Sequence, residues 1–204
     1  MATSCAAQYI DGLKFINEPF VQEENFWNEI SYSWYSLKKN YKIDTCFTID
    51  LFAKIPFAYT AKGLYIQEAP YEQTLLFCCT SGSVLVVIVD LRENSKTYLR
   101  KNEFKLANNA EYRKFIYIPR GCAYGFITLE ENSELHIKTD NYCKKEFEKT
   151  YNILDPFIEI KVPFPEANSE KILLNTLLSN GNLIMSMQDR NAPWLIDANQ
   201  SNIN

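Results

Sequence analysis

Between Lys62 and Lys138 the chain breaks into short β-rich runs with no helical spacing between them. These are Gly63 to Ile66, Thr74 to Cys79, Val84 to Val89, Lys96 to Leu99, Phe115 to Ile118, Gly125 to Leu129 and Glu134 to Lys138. Parallel strands need a crossover of a dozen or more residues, usually a helix, so a parallel α/β sheet is disfavoured. Runs this short bury their apolar faces by packing sheet on sheet, which predicts a mainly β fold, an antiparallel sandwich or jelly roll with a few peripheral helices. Thr80-Ser81-Gly82-Ser83 reads as a tight hairpin between two strongly apolar strands, and Pro119-Arg120-Gly121 ends one strand and turns into the next. At 204 residues, 47% of them apolar, the chain suits one domain with a sizeable core.

The flanks differ in character. Residues 1–61 read as strands and a helix, with helical spacing around Phe26, Trp27, Ile30, Trp34 and Leu37, beside the core at 62–163. Residues 164–204 read as a C-terminal helix and tail. The helix runs from Ser169 to Leu178 on the outside of the sheets, capped by Asn168 or Ser169 and stopped near Gly181, and a polar end from Asp197 to Asn204 is expected to fray. The cysteines, Cys5, Cys46, Cys78, Cys79, Cys122 and Cys143, contain no Cys-x-x-Cys and read as free thiols. Cys78 and Cys79 are neighbours on one strand, so their side chains point to opposite faces and pack as small apolar groups.

The chain has one histidine, His136, in the alternating segment Glu134-Leu135-His136-Ile137-Lys138. Multi-histidine metal sites cannot be built from it, and any histidine-based proton chemistry must use this imidazole. The plain alternative is a strand histidine that faces water or makes a local hydrogen bond. A net charge of -4 and mixed runs such as Arg100-Lys101 beside Glu103 argue against a dedicated nucleic-acid binder. The first residues lack a basic start and an export-type apolar run, and no segment approaches the ~20 apolar residues of a membrane span, so a soluble, cytoplasmic protein is expected. Neither G-x-G-x-x-G nor G-x-x-x-x-G-K-[ST] occurs, so a bound nucleotide would be held by side chains of a β cavity.

Six segments then appear in one order: Lys62-Gly63-Leu64-Tyr65-Ile66-Gln67, Gly82 to Arg92, Ile118 to Phe126, Thr139-Asp140-Asn141-Tyr142, Leu154-Asp155-Pro156 and Ser186 to Pro193. Together they resemble the dTDP-4-dehydrorhamnose 3,5-epimerase family, whose counterparts read R-G-L-H-F-Q, G-x-V-x-D-V-A-V-D-L-R, I-P-x-G-F-A-H-G-F, T-D-Y-Y, N-D-P and S-x-K-D-x-x-A-P. The resemblance runs from about Lys62 to Leu195. It implies a cupin-type jelly roll that forms a homodimer, in part through residues 1–61, and binds a nucleotide-activated 4-keto-6-deoxyhexose without metal or cofactor. In the family a histidine oriented by an aspartate removes protons next to the sugar ketone, a tyrosine on the opposite face returns them, and a lysine steadies the enolate.

Carried across, the resemblance keeps the orienting aspartate as Asp189, the motif glutamine as Gln67 and the base-stacking tyrosine as Tyr142, and it places Gln73 among the substrate contacts. The catalytic histidine becomes Tyr65, the motif arginine Lys62, the enolate lysine Leu75, and the histidine of F-A-H-G-F Tyr124. The catalytic tyrosine falls on His136 when the match is anchored at Thr139-Asp140 and on Ile137 when it is anchored at Lys138-Thr139. In the first register, His136 as base and Tyr65 as acid, oriented by Asp189, face one sugar from opposite cavity walls, while Lys62, Gln67, Gln73, Tyr124 and Tyr142 bind it. In the second, the chain is a sugar-nucleotide-binding homologue without catalysis, a regulator or a partner subunit. A third reading moves the cavity to another small ligand, because Lys62 is the one motif-derived cation left for a diphosphate. Tyr65 and Tyr124 also suit plain lining aromatics, and Asp189 a loop cap.

Overall fold

A computed structural model describes residues 9–19, 21–23, 26–28, 33–108, 112–164 and 171–195. Among them, two five-stranded antiparallel sheets face each other. The first is ordered β1 (Lys14–Pro19), β9 (Tyr112–Ile118), β6 (Leu75–Ser81), β11 (Ser133–Thr139), β4 (Ile49–Ile55). The second is ordered β12 (Glu148–Thr150), β5 (Ala61–Gln67), β10 (Cys122–Thr128), β7 (Ser83–Asp90), β8 (Lys101–Ala107). Two-stranded ribbons pair β2 (Val21–Glu23) with β3 (Phe26–Asn28) and β13 (Lys161–Pro163) with β14 (Lys171–Leu173). The helices are α1 (Trp34–Tyr41), α2 (Leu174–Ser179) and α3 (Met187–Arg190). None of the described helices is long and apolar enough to cross a membrane.

Alternation along the strands creates three apolar layers. The inter-sheet core takes Phe77, Val86, Ile88, Ile116, Phe126, Leu135 and Ile137. The outer face of the second sheet buries Leu64, Val87, Ala123 and Ile127 under Ile153, Leu174, Leu177 and Leu195 from the C-terminal segments. The outer face of the first sheet packs Ile16, Leu76, Cys78 and Phe115 against Leu37 of α1 and Ile43. Cys78 and Cys79 thus enter different layers, as alternation predicts. Among the described cysteines all five are free thiols, and Cys5 lies outside the described residues.

Several expected elements are corrected. Thr80 to Ser83 is not a hairpin: β6 pairs with β9 and β11, whereas β7 pairs with β10 and β8. The chain therefore changes sheets at Gly82, whose φ of 69° and close approach to Ser133 leave no room for a side chain. Lys96 to Leu99 forms turns, with Leu99 at φ 61°, and the strand follows at Lys101–Ala107. Phe26 and Trp27 belong to a strand, and the helix starts at Trp34, where the Ser33 hydroxyl accepts from the Ser36 amide. Ile30 lies outside the described residues. The C-terminal helix begins only at Leu174, because Lys171 to Leu173 pair with Lys161 to Pro163; its proposed caps, Asn168 and Ser169, and the end after Asp197 lie outside the described residues.

Some of the recurrent segments are architectural. The wholly buried Asp90 accepts from Arg92 Nε (2.8 Å), Arg92 Nη2 (2.9 Å), Ser95 Oγ (2.6 Å) and Thr97 Oγ1 (2.6 Å). Burial favours the neutral acid, but these donors outweigh it and hold the carboxyl down to about 2. A carboxyl depressed on folding contributes stability that is whole above its unfolded value near ~3.9 and is lost as pH falls through its folded value. We expect about 2 kcal/mol to disappear between roughly pH 4 and pH 2, a slope that Asp90→Asn removes in urea titrations across that range. Asp155 similarly accepts from the amides of Phe157 (2.8 Å) and Leu195 (2.7 Å), fastening the C-terminal segment to the second sheet.

Candidate functional site

The two edges of the sandwich are closed differently. Beside β1 and β8, Phe104 stacks with Tyr9 and with Phe15 at centroid separations of 5.9 Å each. Beside β4 and β5 the inner faces stay accessible: Leu51, paired with the inward Ile137, is 45% exposed, and Lys62, Tyr65, Ala53 and Tyr124 are half-buried.

Two glycines build this corner. β5 and β10 approach so closely at Gly63 and Gly125 that a Cβ on Gly63 would lie 2.7 Å from the Tyr124 carbonyl oxygen, and one on Gly125 would lie 2.6 Å from that of Lys62. The register shifts between Tyr124 and Phe126, so that Tyr124 faces Tyr65 and Phe126 faces Lys62. The Tyr65 and Tyr124 rings meet edge to face at 6.1 Å, and Phe77 of the opposite sheet touches Tyr124 at 6.2 Å.

Tyr65 Oη donates to Asp189 Oδ1 at 2.7 Å. Asp189 is 1% exposed, its Oδ2 accepts from Ser186 Oγ at 2.7 Å, and its amide donates back to the same hydroxyl. Ser186 caps α3, and the segment is held from the sheet side by Asn152, whose Nδ2 donates to the Arg190 carbonyl at 2.8 Å. Burial, then the adjacent Asp189 carboxylate, pushes the Tyr65 phenol well above its ordinary range. Burial, then Cys143 and Glu148, does the same for Tyr124. Both phenols therefore stay protonated at neutral pH and act as hydrogen-bond donors, not bases.

The remaining candidates divide. Gln67 is buried and committed: Nε2 donates to Cys143 Sγ at 3.3 Å and Oε1 accepts from the Lys144 amide at 2.9 Å. Gln73 Nε2 donates to the Asn141 carbonyl at 2.8 Å, bracing the loop that presents Tyr142, which is 70% exposed. Arg120 is held by Asp140 at 2.9 Å, so it is tied to that same loop. Cys143, a lone thiol with no pattern in the sequence to mark it, joins Gln67 to Glu148 beside Tyr124.

His136 does not face Tyr65. Its neighbours on β11, Leu135 and Ile137, point into the inter-sheet core, so alternation turns His136 to the outer face of the first sheet. There Nε2 lies 2.7 Å from Asp50 Oδ1 and the ring stacks on Phe52 at 4.3 Å. Lys138, then His136, holds Asp50 below the usual carboxylate range against partial burial. The expected pairing of His136 and Tyr65 across one cavity is thus corrected, and the inward position across from Tyr124 and Phe77 belongs to Ile137. Leu75 also faces inward.

The sequence profile of dTDP-4-dehydrorhamnose 3,5-epimerase matches residues 8–197. A protein of that name from Shigella flexneri is 35% identical over 102 residues, 50% of this chain and 55% of the relative, and one from Methanothermobacter thermautotrophicus is 30% identical over 131 residues, 64% and 62%. The chain spans about half the length of the curated relatives it matches first. The crystal structure of dTDP-4-dehydrorhamnose 3,5-epimerase from Elizabethkingia anophelis NUHP1 superposes with a TM-score of 0.76 at 29% identity, covering 95% of this chain and 97% of that one. The Legionella pneumophila Philadelphia 1 enzyme in complex with dTDP-4-keto-L-rhamnose gives 0.74 at 26% identity, covering 94% and 93%.

Proposed function

Since this chain belongs to the dTDP-4-dehydrorhamnose 3,5-epimerase family, we propose that it is a nucleotide-sugar-binding member that holds its ligand without epimerising it by the family's histidine route. The observation that carries this reading is the Tyr65–Asp189 hydrogen bond, 2.7 Å long, standing where the resemblance expects the histidine base. Proton abstraction beside a ketone needs a group that is unprotonated at working pH, and a phenol raised above its ordinary ~10 is the opposite. In the register that faces inward, the resemblance puts Ile137 at the proton-returning tyrosine and Leu75 at the enolate-steadying lysine, and neither side chain transfers a proton or carries charge.

Binding is a separate matter from chemistry. Of the groups assigned to it by resemblance, Lys62, Tyr124 and Tyr142 stand on or beside the accessible corner, with the ring of Tyr142 exposed for stacking on a base, while Gln67 and Gln73 brace the loop that carries Tyr142. The protein is then a regulator or partner subunit in deoxysugar biosynthesis, and the homodimer implied by resemblance belongs to the same reading. The test pairs thermal stabilisation with dTDP, UDP, GDP and CDP and their sugar conjugates with incubation of a dTDP-4-keto-6-deoxyhexose in D2O. Stabilisation without deuterium at C3 or C5 is expected. Deuterium uptake at enzyme-like rates ends the proposal, as does the absence of stabilisation by every nucleotide. His136→Ala is expected to leave the stabilisation by ligand unchanged, since its ring lies on the far face of the sheet.

A further inference from the structure

The accessible corner is polar on one side only. Across the row formed by Leu51, Ile137 and Phe77, the wall supplied by the first sheet is hydrocarbon. The row above adds Ala53, Leu135 and Cys79 and the row below Leu75, where the Thr139 hydroxyl is turned onto Asn141; Leu135, Cys79 and Leu75 are buried, so the accessible part of the wall is Leu51 and Ala53. The facing wall supplies the polar atoms, but most are spent: the Tyr65 proton goes to Asp189 and both ends of Gln67 are occupied. Among the described residues, Tyr124 Oη and Lys62 Nζ are left as donors without a hydrogen-bond partner. A hexose seated there can satisfy hydroxyls on one edge, while any hydroxyl turned to the first sheet is stripped of water and meets only carbon.

We infer, on the premise of the nucleotide-sugar reading above, that the site selects its sugar for missing hydroxyls: a nucleoside diphosphate-linked dideoxyhexose is preferred over a 6-deoxyhexose, and that over a fully hydroxylated hexose. Leu51 sets the exposed rim of this selection, because it is the inward apolar side chain that remains 45% accessible. Each hydroxyl forced against the wall lowers affinity by about tenfold or more.

Calorimetric titration of the full chain with dTDP, dTDP-glucose, dTDP-6-deoxyglucose and a dTDP-3,6-dideoxyhexose tests this, with dTDP as the reference. The expected order runs from dTDP-glucose, weakest, to the dideoxy compound, tightest, in steps of about tenfold. Leu51→Asn and Ala53→Ser, at accessible positions that tolerate polar side chains, are expected to compress that span by at least about threefold, since each returns a hydrogen-bonding group to the wall. If dTDP binds but dTDP-glucose matches or exceeds the dideoxy sugar, the selection is overturned and the nucleotide-sugar reading stands. An unchanged span in both variants overturns the role of this wall. If neither dTDP nor any conjugate binds, both readings fall together.

Discussion

Tyr65→His, Leu75→Lys and Ile137→Tyr combined are expected to raise deuterium exchange at C3 and C5 of a dTDP-4-keto-6-deoxyhexose by at least about 10²-fold over the unmodified chain, the lower end of what one positioned base contributes. The scaffold for this gain is present. Asp189 is buried and already receives a hydrogen bond from residue 65 and another from Ser186, so an imidazole at 65 meets a carboxylate held in place to orient it. Residue 137 lies inward on the opposite sheet, in a row with Leu51 and Phe77, and position 75 lies on the same sheet two residues before Phe77 along β6. Tyr65→His alone should give part of the gain, because a base without an acid and without a cation leaves the enolate unsupported. NMR of the recovered sugar reads the exchange carbon by carbon. Exchange no faster in the triple variant than in the original chain would mean that the ligand is not seated between residues 65 and 137.

Gly63→Ala is expected to lower stability by about 3 kcal/mol or more, a fall of roughly 6–12 °C in Tm for a domain of this size. Two costs add. The residue sits at φ 91°, where an L side chain is strained, and its Cβ would come within 2.7 Å of the Tyr124 carbonyl oxygen and 2.9 Å of the Gly125 Cα, both backbone atoms that cannot swing aside. Gly181→Ala separates the two, since Gly181 has φ 75° but nothing within 4 Å of the added carbon. That variant should cost only about 1–2 kcal/mol. Thermal melts of the pair measure the difference, and equal losses would show that the close contact of β5 and β10 is not the dominant cost. The same contact sets Tyr65 beside Tyr124, so ligand-induced stabilisation should shrink in Gly63→Ala beyond what lower stability explains.

Much of the sandwich could be read from alternation alone. Strands at 63–66, 74–79, 84–89, 115–118, 125–129 and 134–138 are short, β-branched or aromatic, and bounded by turn residues, and all of them form. The departures have two causes. Thr80 to Ser83 has hairpin chemistry, but so short a connection, the single residue Gly82, does not encode whether the strands stay in one sheet, and here the inner face of both is apolar, so they face each other across the core instead of pairing edge to edge. β4 and β8 lack a legible strand pattern because they are edge strands with charges and broken alternation, as in Asp50, Lys54, Glu103 and Lys105.

The candidate site follows the same division. Local sequence determined that His136 and Ile137 occupy opposite faces of one strand, whatever that strand packs against, because successive side chains in a pleated strand point opposite ways. It also carried the ordered motifs that mark the family. Of the two strand faces, the one with Leu135 and Ile137 is apolar and the one with Glu134, His136 and Lys138 is polar, but what each face meets was decided by packing: the second sheet covered Leu135 and Ile137, and β4 brought Asp50 and Phe52 to His136. The meeting of Tyr65 with Asp189, 124 residues apart along the chain, likewise depended on long-range ties that set the α3 segment beside β5: Asn152 to the Arg190 carbonyl, and Ile184 to the backbone of Tyr59 and Ala61. Composition and period set the elements, while long-range packing, which rewards burial of one face over another, decided which side chains share the site.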